Sequence, residues 1–389
     1  MKTKIADLFH DFFNGEKNGA IVLIACTVVS ILLANSSMGD KYVAFWQRTL
    51  DLSFFGIDLK HSLADWINDG LMTVFFLLVG LEIERELYKG ELSNFRNALL
   101  PIVAAFGGMA VPALIHFSLN IGRPTQSGFG IPMATDIAFS LGVLSLLGSR
   151  IPLSLKILLT AFAIIDDLGA IVVIAFFYVH EFSLISFSVA MVIFVALLTL
   201  NRLGVDNLLW YTLLGVAMWF FMSKSGVHAT ITGVFLAFAI PFRRGNESSP
   251  SYKMQRFLDR PVPFLVLPVF ALANTNVQFA SGWYSSLIDH NTLGIIAGLL
   301  LGKPLGIVAF CFIAVKTGLC RLPDKADWRH IAGIGVLGGI GFTMSIFITN
   351  LAFNEPDLIQ DSKIAILSAS SAAGVIGYFC LSLRVKLQK

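Results

Sequence analysis

Charge is what this sequence is short of. Lys, Arg, Asp and Glu make up 14% of its 389 residues, where soluble domains carry about a quarter. No long polar stretch interrupts the apolar runs between Gly19 and Leu383, which leaves no room for a separate water-soluble domain. The net charge of +3 is too small to suggest nucleic acid as a partner. Cysteine is also scarce. Cys26, Cys311, Cys320 and Cys380 form no C-x-x-C pair, so neither a disulfide framework nor a zinc site is indicated, and they read as small core residues. The short alternating segments of a transmembrane β-barrel are missing. No A-x-A site follows the first apolar run, "GAIVLIACTVVSILLA". With Lys2, Lys4 and Lys17 before it, the run reads as an uncleaved first helix.

What the chain does contain is apolar length, 56% hydrophobic residues in recurring runs. The runs predict an all-α integral membrane protein of about twelve spans, near 19–35, 62–84, 98–118, 129–147, 153–178, 183–200, 207–222, 226–241, 262–280, 292–315, 330–352 and 363–383. Alternating the loops from an inside N-terminus places 21 Lys and Arg inside and 6 outside, with Lys303 left over. That bias and the even count put both termini in the cytoplasm. Residues 1–389 form one polytopic domain. Within it, 36–61 is the longest outer loop, with an alternation around "DLSFFGIDLK" that suggests a β-hairpin. Residues 242–261 form a polar, basic cytoplasmic loop between two halves.

A few polar residues lie where lipid-depth residues should be apolar. Asp166 and Asp167 sit side by side in "LLTAFAIIDDLGAIVVIAFFY". Each such charge costs about 2.5–3.5 kcal/mol on insertion scales. Adjacent helical positions point about 100° apart, so the two cannot do the same job. Lys303 lies in "GLLLGKPLGIVAF" behind Gly298, Gly302 and Gly306, a spacing that lets another helix approach closely. In "GIPMATDIAFSLG", Pro132 interrupts the fourth span, and Thr135 and Asp136 are good caps for a second half-helix. A kinked continuous helix is the alternative. In the eleventh span, Gly333, Gly335, Gly338, Gly339 and Gly341 precede Thr343. Helix packing would explain some of these glycines, and a second break explains their number.

Two interrupted helices, one in each half, point to a transporter built from inverted repeats, with discontinuous fourth and eleventh helices. Half-helix ends carry partial charges, which Asp136 and Lys303 can offset. Three carboxylates against one lysine leave a surplus. That surplus must take up protons, bind a cation, or do each in turn. An oxygen site suits sodium or lithium, with the Thr135 hydroxyl as a further ligand. A carboxylate holding a proton cannot bind sodium, so alternating access makes the two travel in opposite directions.

The stretches "WINDGLMTVFFLLVGLEIEREL", "IPMATDIAFSLGVLSLLGSR", "AIIDDLGAI", "KSGVHAT", "AGLLLGKPLG" and "GIGFTMSIFI" resemble the NhaA-type sodium/proton antiporter family along nearly the whole chain. The resemblance implies twelve helices, electrogenic exchange of Na+ or Li+ for more protons, a homodimer and a bacterial inner-membrane location. It implies Asp167 as principal cation ligand, Asp166 as its partner exchanging between Lys303 and the proton or ion, and Thr135 and Asp136 at the helix crossing. No cofactor is implied beyond the transported ions, and membrane lipid is the surrounding partner. The family's alkaline activation implies pH-sensing roles for Glu82, Arg85, Glu86 and His228. A solvated helix end with i,i+4 pairing accounts equally for the "EIERE" group. Gln255 stands where the family's pattern has glutamate, and Arg256 where histidine is usual. Gln255 cannot titrate, which puts the mode of pH sensing in question.

Two rivals use the same residues. A sodium-coupled symporter or channel would keep the cation site without proton exchange. An intramembrane aspartyl protease would pair Asp136 with Asp167, but its G-x-G-D signature is missing.

Overall fold

The computed structural model describes residues 16–51, 53, 59–148, 151–179, 181–243, 246–279, 282–324 and 326–387. Lys2, Lys4, Arg150, Arg244, Lys325 and Lys389, all counted toward the inside charge, lie outside those residues, as does most of the hairpin sequence around "SFFGID".

The chain is a succession of apolar helices, and polar caps at their N-termini set where several of them begin. In order these are α1 (Glu16–Ala34), α2 (Gly39–Trp46), α3 (Leu63–Tyr88), α4 (Phe95–Leu119), a 3₁₀ segment (Pro124–Met133), α5 (Ile137–Leu146), α6 (Leu153–Phe177), α7 (Leu184–Arg202), α8 (Leu208–Ser223), α9 (Ile231–Ala239), α10 (Pro250–Asn274), α11 (His290–Lys316), α12 (Trp328–Gly338), α13 (Phe342–Ala352) and α14 (Pro356–Leu387). Ser183, Asn207, Ser249, Asp289 and Asp327 each accept a hydrogen bond from the first turn of the helix that follows. Among the described residues, seven helices are long and apolar enough to cross a membrane, and up to ten spans result if each bent pair is one. The apolar α8 is shorter than a full span, and α9 is only 9 residues long.

Both predicted breaks are present. The 3₁₀ segment and α5 are bent by 42° across residues 134–136, and α12 and α13 by 46° across 339–341. Pro132 ends the first half and Asp136 caps the second, so the kinked-helix alternative does not hold.

Two segments differ from the sequence expectation. In the 242–261 stretch, residues 250–258 are helical, started by Ser249 at the cap and Pro250 at the first position. This helix continues through a π turn at Val262–Val266 into the ninth span. Between the apolar first span and the strands lies α2, turned by 119° from α1. After it, Thr49–Asp51 (β1) pairs antiparallel with Lys60–Ser62 (β2), Leu50 opposite His61. Ser53 donates its amide to Asp51 Oδ1 at 3.0 Å. Hydrogen bonds from Ser53, helped by Lys60, hold the Asp51 carboxyl below the usual range.

The chain divides into two compact units, and the division does not fall at 242–261. One comprises residues 1–21, 89–174 and 280–389, the other 22–88 and 175–279. In the first unit, α4 lies closely along α11. Gly298 and Gly302 take up Pro132 and Pro112, where an added Cβ would stand 2.6 and 2.8 Å from them. This is the close approach that the four-residue glycine spacing predicted. In the second unit, α3 packs on α9 and α10.

Candidate functional site

The first unit carries both breaks and all the buried charges predicted at lipid depth. Its centre is held by backbone groups freed where the two spans stop being helical. Asp136 N–H donates to the Ile340 carbonyl at 2.7 Å. Ser140 Oγ donates to Leu337 O at 3.0 Å, and Ser345 Oγ donates to Ile131 O at 2.7 Å. Each second half-helix therefore caps the C-terminal carbonyls of the opposite span's first half. The arrangement is reciprocal, as an inverted repeat requires.

Asp136 is 2% exposed and binds both second halves at their positive ends. Its Oδ1 accepts from Phe139 N at 2.9 Å. Its Oδ2 accepts from Thr343 N at 3.1 Å and Thr343 Oγ1 at 2.5 Å. Among the described residues no three acidic, histidine or cysteine side chains converge as a metal centre would. Asp136 is thus not gathered with Asp166 and Asp167 into one three-carboxylate cluster. Nor does it face Asp167 as half of a proton-sharing protease pair, because its oxygens are committed to the caps.

Asp166, Asp167 and Lys303 are each 0% exposed. Lys303 Nζ donates to Asp166 Oδ2, and to Thr135 Oγ1 at 2.7 Å. Thr135 Oγ1 donates in turn to Gly338 O at 2.8 Å, so one hydroxyl links the lysine to the negative end of α12. The ammonium also lies 5.5 Å from the centre of the Phe162 ring, one turn before Asp166. Phe162 in turn lies against Gly338, where a Cβ would stand 3.1 Å from it. Gly338 and its neighbours therefore serve close packing as well as the break. Lys303 is in electrostatic reach of Asp167 as well as Asp166. Asp166 Oδ1 is buried with no hydrogen-bond donor among the described residues. Oxygens of this kind around a single ammonium fit a hard cation as cargo.

Lys303 is also preceded by a π turn at Gly298–Gly302, a distortion frequent at functional positions. The signal for it was Pro304, which supplies no backbone donor to the preceding turn.

The five residues matched to pH sensing are in the second unit, and they do not form one cluster. Arg85 and Glu86 approach to 3.8 Å near the end of α3. Gln255 is buried one helical turn beyond Ser251, on α10. Glu82 is half-buried. His228 is elsewhere. Its Nε2 is 3.5 Å from Asp69 Oδ1, and its Nδ1 is 2.8 Å from Thr230 Oγ1. Asp69 precedes Glu82 by 13 residues on α3, about 20 Å of helix. The Asp69 carbonyl, freed by a π turn at Trp66–Leu71, accepts from Thr73 Oγ1 at 2.5 Å and Trp219 Nε1 at 3.2 Å.

Sequence reasoning missed Asp69 and Glu84. Glu84 is 4% exposed and accepts from Ser251 Oγ at 2.9 Å. Its spacing from Leu77, Gly80 and Leu81, all buried, puts it on the apolar face of α3. That spacing was the available signal.

Comparison with known proteins agrees with this architecture. The family described as Na+/H+ antiporter 1 matches residues 10–381. The Na(+)/H(+) antiporter NhaA of Dechloromonas aromatica is 58% identical over 98% of this chain and 97% of its own. The NhaA of Escherichia coli O1:K1 is 46% identical over 97% and 98%. The solved structure of the sodium proton antiporter MjNhaP1 from Methanocaldococcus jannaschii matches with a TM-score of 0.53 at 13% identity, over 95% of this chain and 91% of that one, a likeness of fold. Crossed broken spans, a buried aspartate pair with its lysine, and a family match over nearly the full length lead to one conclusion: the chain belongs to the Na+/H+ antiporter 1 family, as a multi-pass helical membrane protein.

Proposed function

We infer that this chain exchanges Na+ or Li+ for protons at Asp167 and Asp166, with Lys303 as their counterion. The observation that carries the reading is the imbalance at the site: two fully buried carboxylates on one turn of α6 and one buried ammonium. Asp167 holds the cation. Asp166 leaves Lys303 to join it when the ion enters, and returns when protons replace the ion. Asp136 and Thr135 keep the crossing intact while this happens. Two carboxylates and a lysine can release more than one proton per sodium, which makes the exchange electrogenic. The excess of basic residues in alternate loops supports a cytoplasmic position for both termini, in a bacterial inner membrane. Glu82, Arg85, Glu86 and Gln255 belong to the pH response near the end of α3, and His228 acts with Asp69. The β1–β2 pair offers an open edge to a second copy, as a homodimer needs.

The test uses everted vesicles from cells lacking their own antiporters. A respiration-driven proton gradient should collapse on adding Na+ or Li+ and persist with the Asp167→Asn variant. Gradient collapse that survives Asp167→Asn would sink the site assignment. Sodium uptake with no proton movement would favour the symporter or channel instead.

A further inference from the structure

Lys303 has a neighbour to which the exchange described above gives no task. Phe162 lies one helical turn before Asp166 on α6, so the two side chains share one face of that helix. Asp167, about 100° further round, is off that face. Phe162 is 1% exposed. Lys303 Nζ lies over its ring, 5.5 Å from the centroid. One face of α6 therefore offers the ammonium two different partners, the Asp166 carboxylate and the negative face of an aromatic ring.

The ring is held in that place by its neighbours. A Cβ at Gly338 would stand 3.1 Å from its Cε1 and Cζ, and one at Gly108 3.2 Å from its Cε2. Ile307, one turn beyond Lys303 on α11, closes on the same two glycines, where an added Cβ would stand 3.2 and 3.0 Å from it. Any larger residue on α4 or α12 at these points would push on the ring. The lysine's hydrogen bonds are few. An ammonium has three donors. One goes to Asp166 and one to Thr135 Oγ1 at 2.7 Å. Thr135 is tied to Gly338 O and does not travel with Asp166. When Asp166 leaves to join the cation at Asp167, the contacts that remain to Lys303 among the described residues are one neutral hydroxyl and the Phe162 ring.

We propose that Phe162 is a positioning residue whose ring is a second seat for the Lys303 ammonium, used when Asp166 departs, and that this seat tightens sodium binding. The proposal rests on Asp166 and Asp167 being the exchange site. While Asp166 is paired, the ring faces an ammonium whose charge the carboxylate largely cancels, and its attraction is small. Once Asp166 turns to the cation, the ring faces an uncompensated charge in a fully buried place. A buried charge without a partner is costly, and a cation–π contact is strongest where it is desolvated. The ring therefore favours the separated pair over the joined one. Sodium binding requires the separation and gains by that difference. An aliphatic side chain of similar volume fills the space and offers the ammonium no negative face. Phe162 has no ligand oxygen and no proton to give, so it acts only through Lys303.

Reconstituted full-length protein, assayed for sodium-driven proton movement at one fixed alkaline pH, gives sodium KM and maximal rate separately. Phe162→Leu should raise sodium KM by about tenfold, the scale of a desolvated cation–π contact, and leave the maximal rate within about twofold. Leucine also changes the packing against Gly108 and Gly338, so a graded series carries the decision. Mono-, di- and trifluorophenylalanine in place of Phe162 keep the ring and weaken its negative face stepwise. Sodium KM should climb at each step toward the Phe162→Leu value, with the unfolding temperature in detergent unchanged. A sodium KM that stays flat across the series overturns the second seat and leaves Phe162 as packing. So does a Phe162→Leu protein with a lowered unfolding temperature and the wild-type sodium KM. Failure of the underlying site reading shows separately, as exchange that survives Asp167→Asn, and removes the second seat with it.

Discussion

Asp136 and Asp166 are equally remote from water, 2% and 0% exposed, yet their surroundings differ. Asp136 accepts from Phe139 N, Thr343 N and Thr343 Oγ1, and those donors stabilise its charge without any ion. Asp166 has one oxygen on Lys303 and the other with no donor among the described residues. An unsatisfied buried oxygen is costly, and a protein keeps one where something else is to bind. On the proposed reading, the contrast separates the carboxylate that builds the crossing from the pair that carries the exchange. It also explains why half-helices suit this chemistry. Their freed ends are satisfied mainly by one another and by Asp136, through Ile340, Leu337 and Ile131 carbonyls. The carboxylate pair lies on the neighbouring α6, with Lys303 on Asp166.

The sharpest break of the comparison is to neutralise one member of each kind. Asp167→Asn and Asp166→Asn should each reduce sodium-dependent proton movement to background in vesicles while leaving thermal unfolding in detergent nearly unchanged. Asp136→Asn should do the reverse. An amide there turns N–H groups toward the Thr343 donors, and helix caps are worth about 0.5–2 kcal/mol each. A clear fall in unfolding temperature is expected, with sodium KM preserved in the protein that remains folded. If Asp136→Asn leaves stability intact and abolishes exchange, the division of roles collapses.

Lys303→Ala comes next in size. Asp166 then loses the ammonium that favours its charged form, and sodium entry needs a more alkaline medium. A hydrogen bond to a charged group is worth about 1.5–3 kcal/mol, which corresponds to about one to two pH units. The exchange profile should move to alkaline pH by that amount, with residual activity at its alkaline end. Thr135→Ala removes only the relay to Gly338 and should shift the profile in the same direction by less. An acid-ward shift in either variant would contradict the counterion role.

Much of this was legible in the sequence because lipid depth makes polarity conspicuous. Asp166, Asp167, Asp136 and Lys303 stand out in apolar runs, and Pro132 with the glycines before Thr343 marks the breaks. What was not legible depends on three-dimensional pairing. In "EIERE" only spacing sets Glu84 apart, and its partner Ser251 comes from α10, remote in sequence. His228 lies in a motif, "KSGVHAT", that does not reveal its contact with Asp69. The helix at 250–258 was obscured because its composition is polar, although Ser249 and Pro250 are sound start signals. The buried hydrogen-bonded chain of His116, Asn291 and Ser362 was invisible because its members lie 175 and 71 residues apart.

Glu84 is the intermediate case between Asp136 and Asp166, a buried carboxylate with Ser251 as donor. Removing that donor measures what a single bond contributes to a carboxylate outside the exchange site. Ser251→Ala should lower stability by about 1–2 kcal/mol, since it strips a hydrogen bond from a buried acceptor. Glu84→Gln should cost less, because a carboxamide oxygen still accepts from Ser251 and the side chain keeps its volume. In the Glu84→Gln background, Ser251→Ala should cost less than it does alone, because a neutral acceptor suffers less from losing its donor than a carboxylate does. Unfolding of the four proteins in detergent gives the coupling, and vesicle exchange should remain within about twofold of wild type throughout. A zero coupling would mean that Glu84 draws its stabilisation from elsewhere on α3 and α10. A collapse of exchange would move Glu84 from the packing of the second unit into the transport machinery.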